Sequence, residues 1–280
     1  MLADYHVHTN FSPDSDYPMQ RVIEDAIELG LDEICITDHI DFGYLKSWPD
    51  GLSDSEKKQL DRSLYMTDHV ISSQQIKRFQ REYQDKITIK FGYEFGMQMP
   101  WISQFEQLYS LYDLDFVILS VHAIDDHGIW TDEFQLNRSQ KQYNDRYYQE
   151  IYNLVNNYQN YCVLGHLDSI VRYDRNGIYP FEKNKDLIRE ILKIVIKNGK
   201  GIEVNTSNVR YGLKDSTPGK DILLLYKELG GKIITLGSDS HRKGQLACNF
   251  VNTKKYLSDL GFEYFCTYQK MNPIYHLLEE

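Results

Sequence analysis

The chain has 280 residues, 41% of them hydrophobic, and 41 Asp and Glu against 31 Lys and Arg leave a net charge of −10. With no Lys/Arg-rich run, that balance argues against nucleic acid as a partner, and no apolar run approaches the ~20 residues of a membrane span. The N-terminus Met1-Leu2-Ala3-Asp4 lacks the regions of a signal peptide, and Cys35, Cys162, Cys248 and Cys266 are scattered without CxxC spacing, so the expectation is a cytoplasmic protein with free thiols.

In chain order the sequence alternates short apolar, often β-branched segments with amphipathic ones. Strands are expected over 3–7, 33–37, 87–93, 116–121, 161–165, 201–204 and 233–237, and helices over 19–29, 142–158, 187–198 and 220–229. Gly30, Gly199 and Gly230 stand where helices would end. Alternation of this kind implies a parallel sheet, and seven strands favour an α/β barrel, built as a single domain over 1–280. Two connections exceed a minimal loop, from 40 to about 86 and from 123 to about 141. They carry Phe42, Tyr44, Trp48 and Trp130, and loops of that length are expected to wall a site.

The chemistry is concentrated where the strands stop. The first ends in His6-Val7-His8, the second in Thr37-Asp38-His39, and the third in Gly92-Tyr93-Glu94. The fourth ends in Ser120-Val121-His122, the fifth in Gly165-His166-Leu167-Asp168 and the seventh in Gly237-Ser238-Asp239-Ser240-His241. In a barrel all parallel strands end at one face, so residues far apart in sequence converge there. His6 and His8 share one side of an extended strand, because side chains alternate with period two, and together can hold one ion. Thr67-Asp68-His69 repeats the second motif in a polar stretch with no apolar strand before it, which marks it as surface. By the same reasoning His127 reads as a loop histidine, and His276 as a tail or packing residue.

Taken together and in this order, the motifs resemble the PHP family, named for polymerase and histidinol phosphatase domains, over nearly the whole chain from Tyr5 to His241. Chain length and the long second and fourth loops are similar to its histidinol-phosphate phosphatase branch. The resemblance implies a distorted (β/α)7 barrel with three divalent metal ions, whether zinc, iron or manganese. It implies one ion on His6, His8, Glu94 and Asp239, and a second on Glu94, His122 and His166. A third would take His39, His241 and Asp14, where several relatives have histidine. Asp38 and Asp168, beside ligand histidines, are expected to orient imidazoles. Arg172 and Arg210 are expected to bind phosphate, with Asn205 and Ser207 as weaker substrate contacts, since a guanidinium fork matches phosphate oxygens.

The reaction so implied is hydrolysis of a small phosphate monoester, L-histidinol phosphate first among them, by metal-activated water, with Asp239 or His241 as the route for the leaving group's proton. A protein-tyrosine phosphatase or nucleotide phosphoesterase of the same family would use the same centre. A non-catalytic metal-binding regulatory module would be expected to have lost ligands, and every ligand position here holds a residue able to bind metal.

Overall fold

The computed structural model describes residues 1–43 and 68–279. Seven parallel strands form the main wall: β1 (Ala3–Val7), β2 (Glu33–Ile36), β4 (Thr88–Gly96), β5 (Phe116–Ser120), β8 (Val163–Leu164), β9 (Gly201–Asn205) and β10 (Ile234–Gly237), paired in that order. An eighth segment, β3 (His39–Asp41), continues β2 past a break at Thr37-Asp38 and pairs with β4. The last seam, β10 to β1, is not a ladder. It closes through the bridge between Val7 and Ser240, through Asp239 N to His6 O (2.8 Å), and through the Asp4 carboxylate accepting from Ser238 N (3.0 Å). The strands therefore form a nearly closed α/β barrel, distorted at β2–β3 and at the β10–β1 seam.

Helices α1 (Met19–Glu28), α2 (His69–Glu82), α3 (Ile102–Tyr109), α4 (Gln140–Asn157), α5 (Lys185–Lys197), α6 (Lys220–Glu228) and α7 (Phe250–Asp259) alternate with the strands. Each presents an apolar stripe to the barrel: Ile188, Ile191, Leu192 and Val195 of α5 recur at helical spacing and are buried. Helix α4 starts at a reciprocal cap between Ser139 and Gln142.

Three differences from the sequence expectation have local causes. The 40–86 connection is not all loop: Ile40 and Asp41 belong to β3, and α2 begins where the Asp68 side chain accepts from Ile71 N, with Ile76 and Phe79 buried. Tyr44 and Trp48 lie outside the described residues. The 123–141 connection opens with a small hairpin, β6 (Ala123–Ile124) and β7 (His127–Gly128). Beyond His241, α7 and an antiparallel hairpin, β11 (Tyr264–Gln269) and β12 (Asn272–Leu277), were not anticipated. The turn of that hairpin is Lys270-Met271, both at positive φ, so it lacks the Asn-Gly type of signal that makes such turns readable. The hairpin seats Tyr268 against Phe116, which packs edge-on against Tyr5, with ring centroids 4.9 Å apart at both contacts. His276 sits in β12, bonded to Thr267 Oγ1 at 2.8 Å. No helix among the described residues is long and apolar enough to cross a membrane.

Candidate metal centre

Register brings the strand ends together. In the β3–β4 pairing His39 lies opposite Glu94, and in β4–β5 Gly96 lies opposite Ser120. Glu94 is fully buried, and five imidazoles surround its carboxylate. Oε2 is 3.0 Å from His6 Nε2, 3.4 Å from His8 Nε2 and 3.1 Å from His39 Nδ1. Oε1 is 3.0 Å from His122 Nε2 and 2.9 Å from His166 Nε2, and also accepts from Ser120 Oγ at 2.7 Å. Asp239 Oδ1 faces His6 Nε2 (3.7 Å) and His8 Nε2 (3.5 Å). Asp14 Oδ2 lies 3.1 Å from His241 Nε2 and 3.5 Å from His39 Nε2. The rings of His8 and His241 stack at 4.0 Å.

Among the described residues, the buried Nε2 atoms of His6, His8 and His241, and Glu94 Oε2, have no hydrogen-bond partner. A protein interior does not leave such atoms idle without reason. Four sets of three residues bring one ligand atom each within 4.8 Å of the others: His6, His8 and Asp239; His6, Glu94 and His166; His8, His39 and His241; and His39, Asp41 and His122. Two atoms each about 2.0–2.2 Å from one ion at tetrahedral angles stand about 3.4 Å apart, which is the range these pairs occupy. Nitrogen and oxygen donors without thiolate suit zinc, iron or manganese. The residues present fit a cluster of cations.

Charge points the same way. Burial opposes ionisation of Glu94, but His6, His122 and His39 outweigh it and hold its carboxyl well below the usual range. Asp239 is likewise held low: burial is outweighed by His6, His8 and Arg172. Asp14 is held low despite its burial by His39 and His241. Burial, then the neighbouring His241 and His39, push the His8 imidazole well below its ordinary value, so its nitrogen keeps a lone pair. His39 goes the other way, up to about 9, because Asp14 and Glu94 outweigh its burial.

The groups that orient the imidazoles differ from those expected. His8 Nδ1 donates to Ser12 Oγ (3.1 Å), which in turn donates to Asp38 Oδ1 (2.8 Å). Asp38 therefore acts through Ser12, and it also binds Thr9 N and Oγ1. His241 Nδ1 donates to the Asp239 carbonyl at 2.9 Å. Asp168 accepts from Gly219 N (2.9 Å) and bonds no imidazole. Two further carboxylates bond imidazoles directly. Asp41 Oδ1 bonds His122 Nδ1 at 2.9 Å, and a Cβ on Gly96 would lie 1.6 Å from that same oxygen, so glycine is required there. Glu203 Oε1 bonds His6 Nδ1 at 2.6 Å. Asp41 fell within the stretch read as loop. Glu203 did carry a signal: a charged residue inside an otherwise apolar, doubly covered strand must be paired.

The cluster opens on a cavity of ≈500 Å3 whose wall includes Asp14, His39, His122, Ile129, Trp130, Arg172, Tyr173, Tyr211, Asp239 and His241. Arg172 is buried and donates to Asp239 Oδ2 (3.2 Å), Asn205 Oδ1 (3.0 Å) and Thr217 Oγ1 (3.1 Å). Arg210 is exposed at the neighbouring turn and donates to the Ser238 and Asp239 carbonyls. Asn205 is fully buried and bridges Arg172, Glu203 and Asp239. Ser207 is fully buried and not on the cavity wall, and its hydroxyl has no partner among the described residues. His69 is half-buried rather than on the surface, with Nδ1 bonded to Tyr112 Oη at 2.5 Å, and it joins none of the ligand sets.

A barrel whose strand ends gather histidines and carboxylates around an arginine-bearing cavity defines a metal-dependent hydrolase. The PHP domain model matches residues 4–207, and the chain belongs to the PHP family. Among similar proteins, a histidinol-phosphatase of Lactococcus lactis is 32% identical over 271 residues, covering 96% of this chain and 94% of the relative. A probable histidinol-phosphatase of Thermotoga maritima is 25% identical, with 94% of each chain covered. The crystal structure of the Lactococcus lactis histidinol phosphate phosphatase, complexed with zinc, L-histidinol and phosphate, superposes with a TM-score of 0.82 at 31% identity over 98% of both chains.

Proposed function

We propose that this protein is a histidinol-phosphatase that hydrolyses L-histidinol phosphate to L-histidinol and phosphate, a step of histidine biosynthesis. The observation that carries the reading is Glu94 ringed by five imidazoles at the floor of a cavity that also holds Arg172. Three divalent cations fit the residues: one on His6, His8, Glu94 and Asp239, one on Glu94, His122 and His166, and one on His39, His241 and Asp14. When bound, such ions lower the pKa of a coordinated water towards about 7 and offset phosphoryl charge. Zinc is favoured, because it occupies the Lactococcus lactis structure.

The chain's own groups divide the remaining work. Arg172, on the cavity wall and bonded to Asp239, meets the phosphoryl oxygens, and Arg210, which does not line the cavity and is bonded to the Ser238 and Asp239 carbonyls, would swing in to join it. Asp239, on the cavity wall beside Arg172, is the carboxylate placed to pass a proton to the departing alcohol oxygen. His241 has Nδ1 tied to a carbonyl and Nε2 turned to Asp14, so it serves as a ligand rather than as that proton's carrier. Trp130, Tyr173 and Tyr211 offer aromatic faces for the imidazole and ammonium of histidinol. Four free thiols suit a reducing cytoplasmic compartment.

The test is a panel of phosphate monoesters on metal-loaded protein: histidinol phosphate, p-nitrophenyl phosphate, a phosphotyrosine peptide and a nucleotide. Histidinol phosphate should give the highest kcat/KM by at least tenfold. A preference for the phosphopeptide or the nucleotide would overturn the substrate assignment while keeping the metal centre.

A further inference from the structure

Glu203 lies in the middle of β9, 1% exposed, and no Lys or Arg among the described residues forms an ion pair with it. Its carboxylate is held instead by three N–H groups. Oε1 accepts from His6 Nδ1 (2.6 Å) and from Asn205 Nδ2 (3.2 Å), and Oε2 accepts from the backbone N of His166 (2.7 Å). His166 has φ 21°, a conformation that side-chain-bearing residues rarely adopt, so its backbone needs an external tie. Space for the carboxylate is reserved on the neighbouring strand: a Cβ on Gly237 would lie 2.0 Å from Glu203 Oε1 and 2.5 Å from His6 Cβ. That accounts physically for the glycine that opens the Gly237-Ser238-Asp239 motif.

Resting on the metal-centre reading above, we infer that Glu203 is the positioning residue of the centre, one carboxylate that fixes the tautomer of His6 through its side chain and the placement of His166 through its backbone. With the proton of His6 drawn to Nδ1, Nε2 is left bare and points at Glu94 Oε2, 3.0 Å away. The other tautomer would put a hydrogen on Nε2 and remove a donor atom from the cluster. One residue thus sets two imidazoles, one at each oxygen of Glu94. The carboxylate is specifically required, because both of its oxygens face N–H donors. An amide has only one acceptor oxygen, so in Glu203→Gln its NH2 must oppose either the His6 Nδ1 proton or the His166 backbone.

The experiment uses Zn2+ as the probe, on wild type, Glu203→Gln and Glu203→Asp. Affinity is read by competition with a chromogenic chelator, and the thermal midpoint of the metal-stripped proteins is read alongside. Loss of an outer partner of a ligating histidine weakens metal binding by about 10–100-fold. The expected result is a loss of that size in Glu203→Gln with the stripped midpoint unchanged within a few degrees. Excess Zn2+ should then restore most of the activity. Equal Zn2+ affinity in wild type and Glu203→Gln would overturn the inference alone, whereas no Zn2+ binding by wild type would overturn the metal-centre reading with it. Should the variants misfold, 15N shifts of the His6 ring in Zn2+-loaded wild type, assigned by their loss in His6→Gln, decide the matter. Protonated Nδ1 with Nε2 free of hydrogen supports the inference, and protonated Nε2 sinks it.

Discussion

Arg172 Nη1 lies 3.2 Å from Asp239 Oδ2, while the other oxygen of the same carboxylate faces His6 and His8. One carboxylate therefore joins the group proposed to grip phosphate to the group proposed to hold metal. Arg210 has no such link, since its guanidinium meets backbone carbonyls.

Replacing the two arginines should separate these roles. Losing a charge-assisted hydrogen bond is worth about 1.5–3 kcal/mol, so kcat/KM should fall by about one to two orders of magnitude in Arg172→Ala and in Arg210→Ala. Only Arg172→Ala should also lose metal, because Asp239 Oδ2 then keeps, among the described residues, only Asn205 Nδ2 as a donor. Arg172→Lys should recover part of the activity, a point charge being unable to serve two acceptors in one plane. Metal content and kinetics measured on the same preparations check this, and wild-type kcat/KM in Arg172→Ala would remove it from the phosphate site.

The strand ends were readable because they combine two independent signals, an apolar β-branched run and a polar residue where it stops. Residues 3–7 show it best: the expected bounds coincide with β1, and His6 within it and His8 just past its end both face Glu94 Oε2. Helix α7 and the β11–β12 hairpin carry no ligand motif, and the hairpin turns at Lys270-Met271 without glycine, so neither stood out in the sequence. The orienting groups were less legible for a deeper reason. Asp38 and Asp168 stand near histidines in sequence, yet Asp38 reaches an imidazole only through Ser12, and Asp168 accepts from Gly219 N. The actual partners come from other elements: Glu203 from β9 to His6, and Asp41 from β3 to His122. Pairings between strands are set by barrel register, which motif spacing within one segment does not encode.

The repeated tripeptide provides an internal control. His39→Ala should lower kcat/KM by at least about a hundredfold, because His39 sits 3.1 Å from Glu94 Oε2. His69→Ala should leave kcat/KM within about threefold and lower stability by about 1 kcal/mol, the worth of its bond to Tyr112. Steady-state kinetics with urea unfolding of both variants is the check. Equal activity losses with folding intact would show that strand context does not distinguish the two motifs.

Thiol reactivity should be confined to one site. Burial raises Cys162 and Cys266 to about 12 and Cys35 well above its ordinary value, and all three are shielded from reagent. Cys248 is half-buried. Because the thiolate is the reactive species, Ellman's reagent at pH 8 should titrate one thiol per native chain quickly and all four in denaturant. Cys248→Ser should abolish the fast phase; three or four fast thiols in native protein would contradict the packing around β2, β8 and β11.

Stripping the metals should reveal how much of the fold's stability they provide. Six imidazoles and the carboxylates of Glu94, Asp239 and Asp14 crowd one pocket, and without cations several buried donor atoms have nothing to bind. A ligand that binds only the folded state adds about 2.7 kcal/mol at a hundred times its dissociation constant. For a chain of this size 1 kcal/mol moves the midpoint by about 2–4 °C, so chelation should lower it by at least about 5 °C and abolish hydrolysis. Restoring Zn2+, Mn2+ or Fe2+ should return both, and the ion that returns most activity per equivalent identifies the preferred metal. Calorimetry and elemental analysis on the same stripped and reloaded samples measure this. A midpoint unmoved by chelation, with full activity and less than one metal per chain, would mean that the imidazoles around Glu94 are held by protons and hydrogen bonds alone.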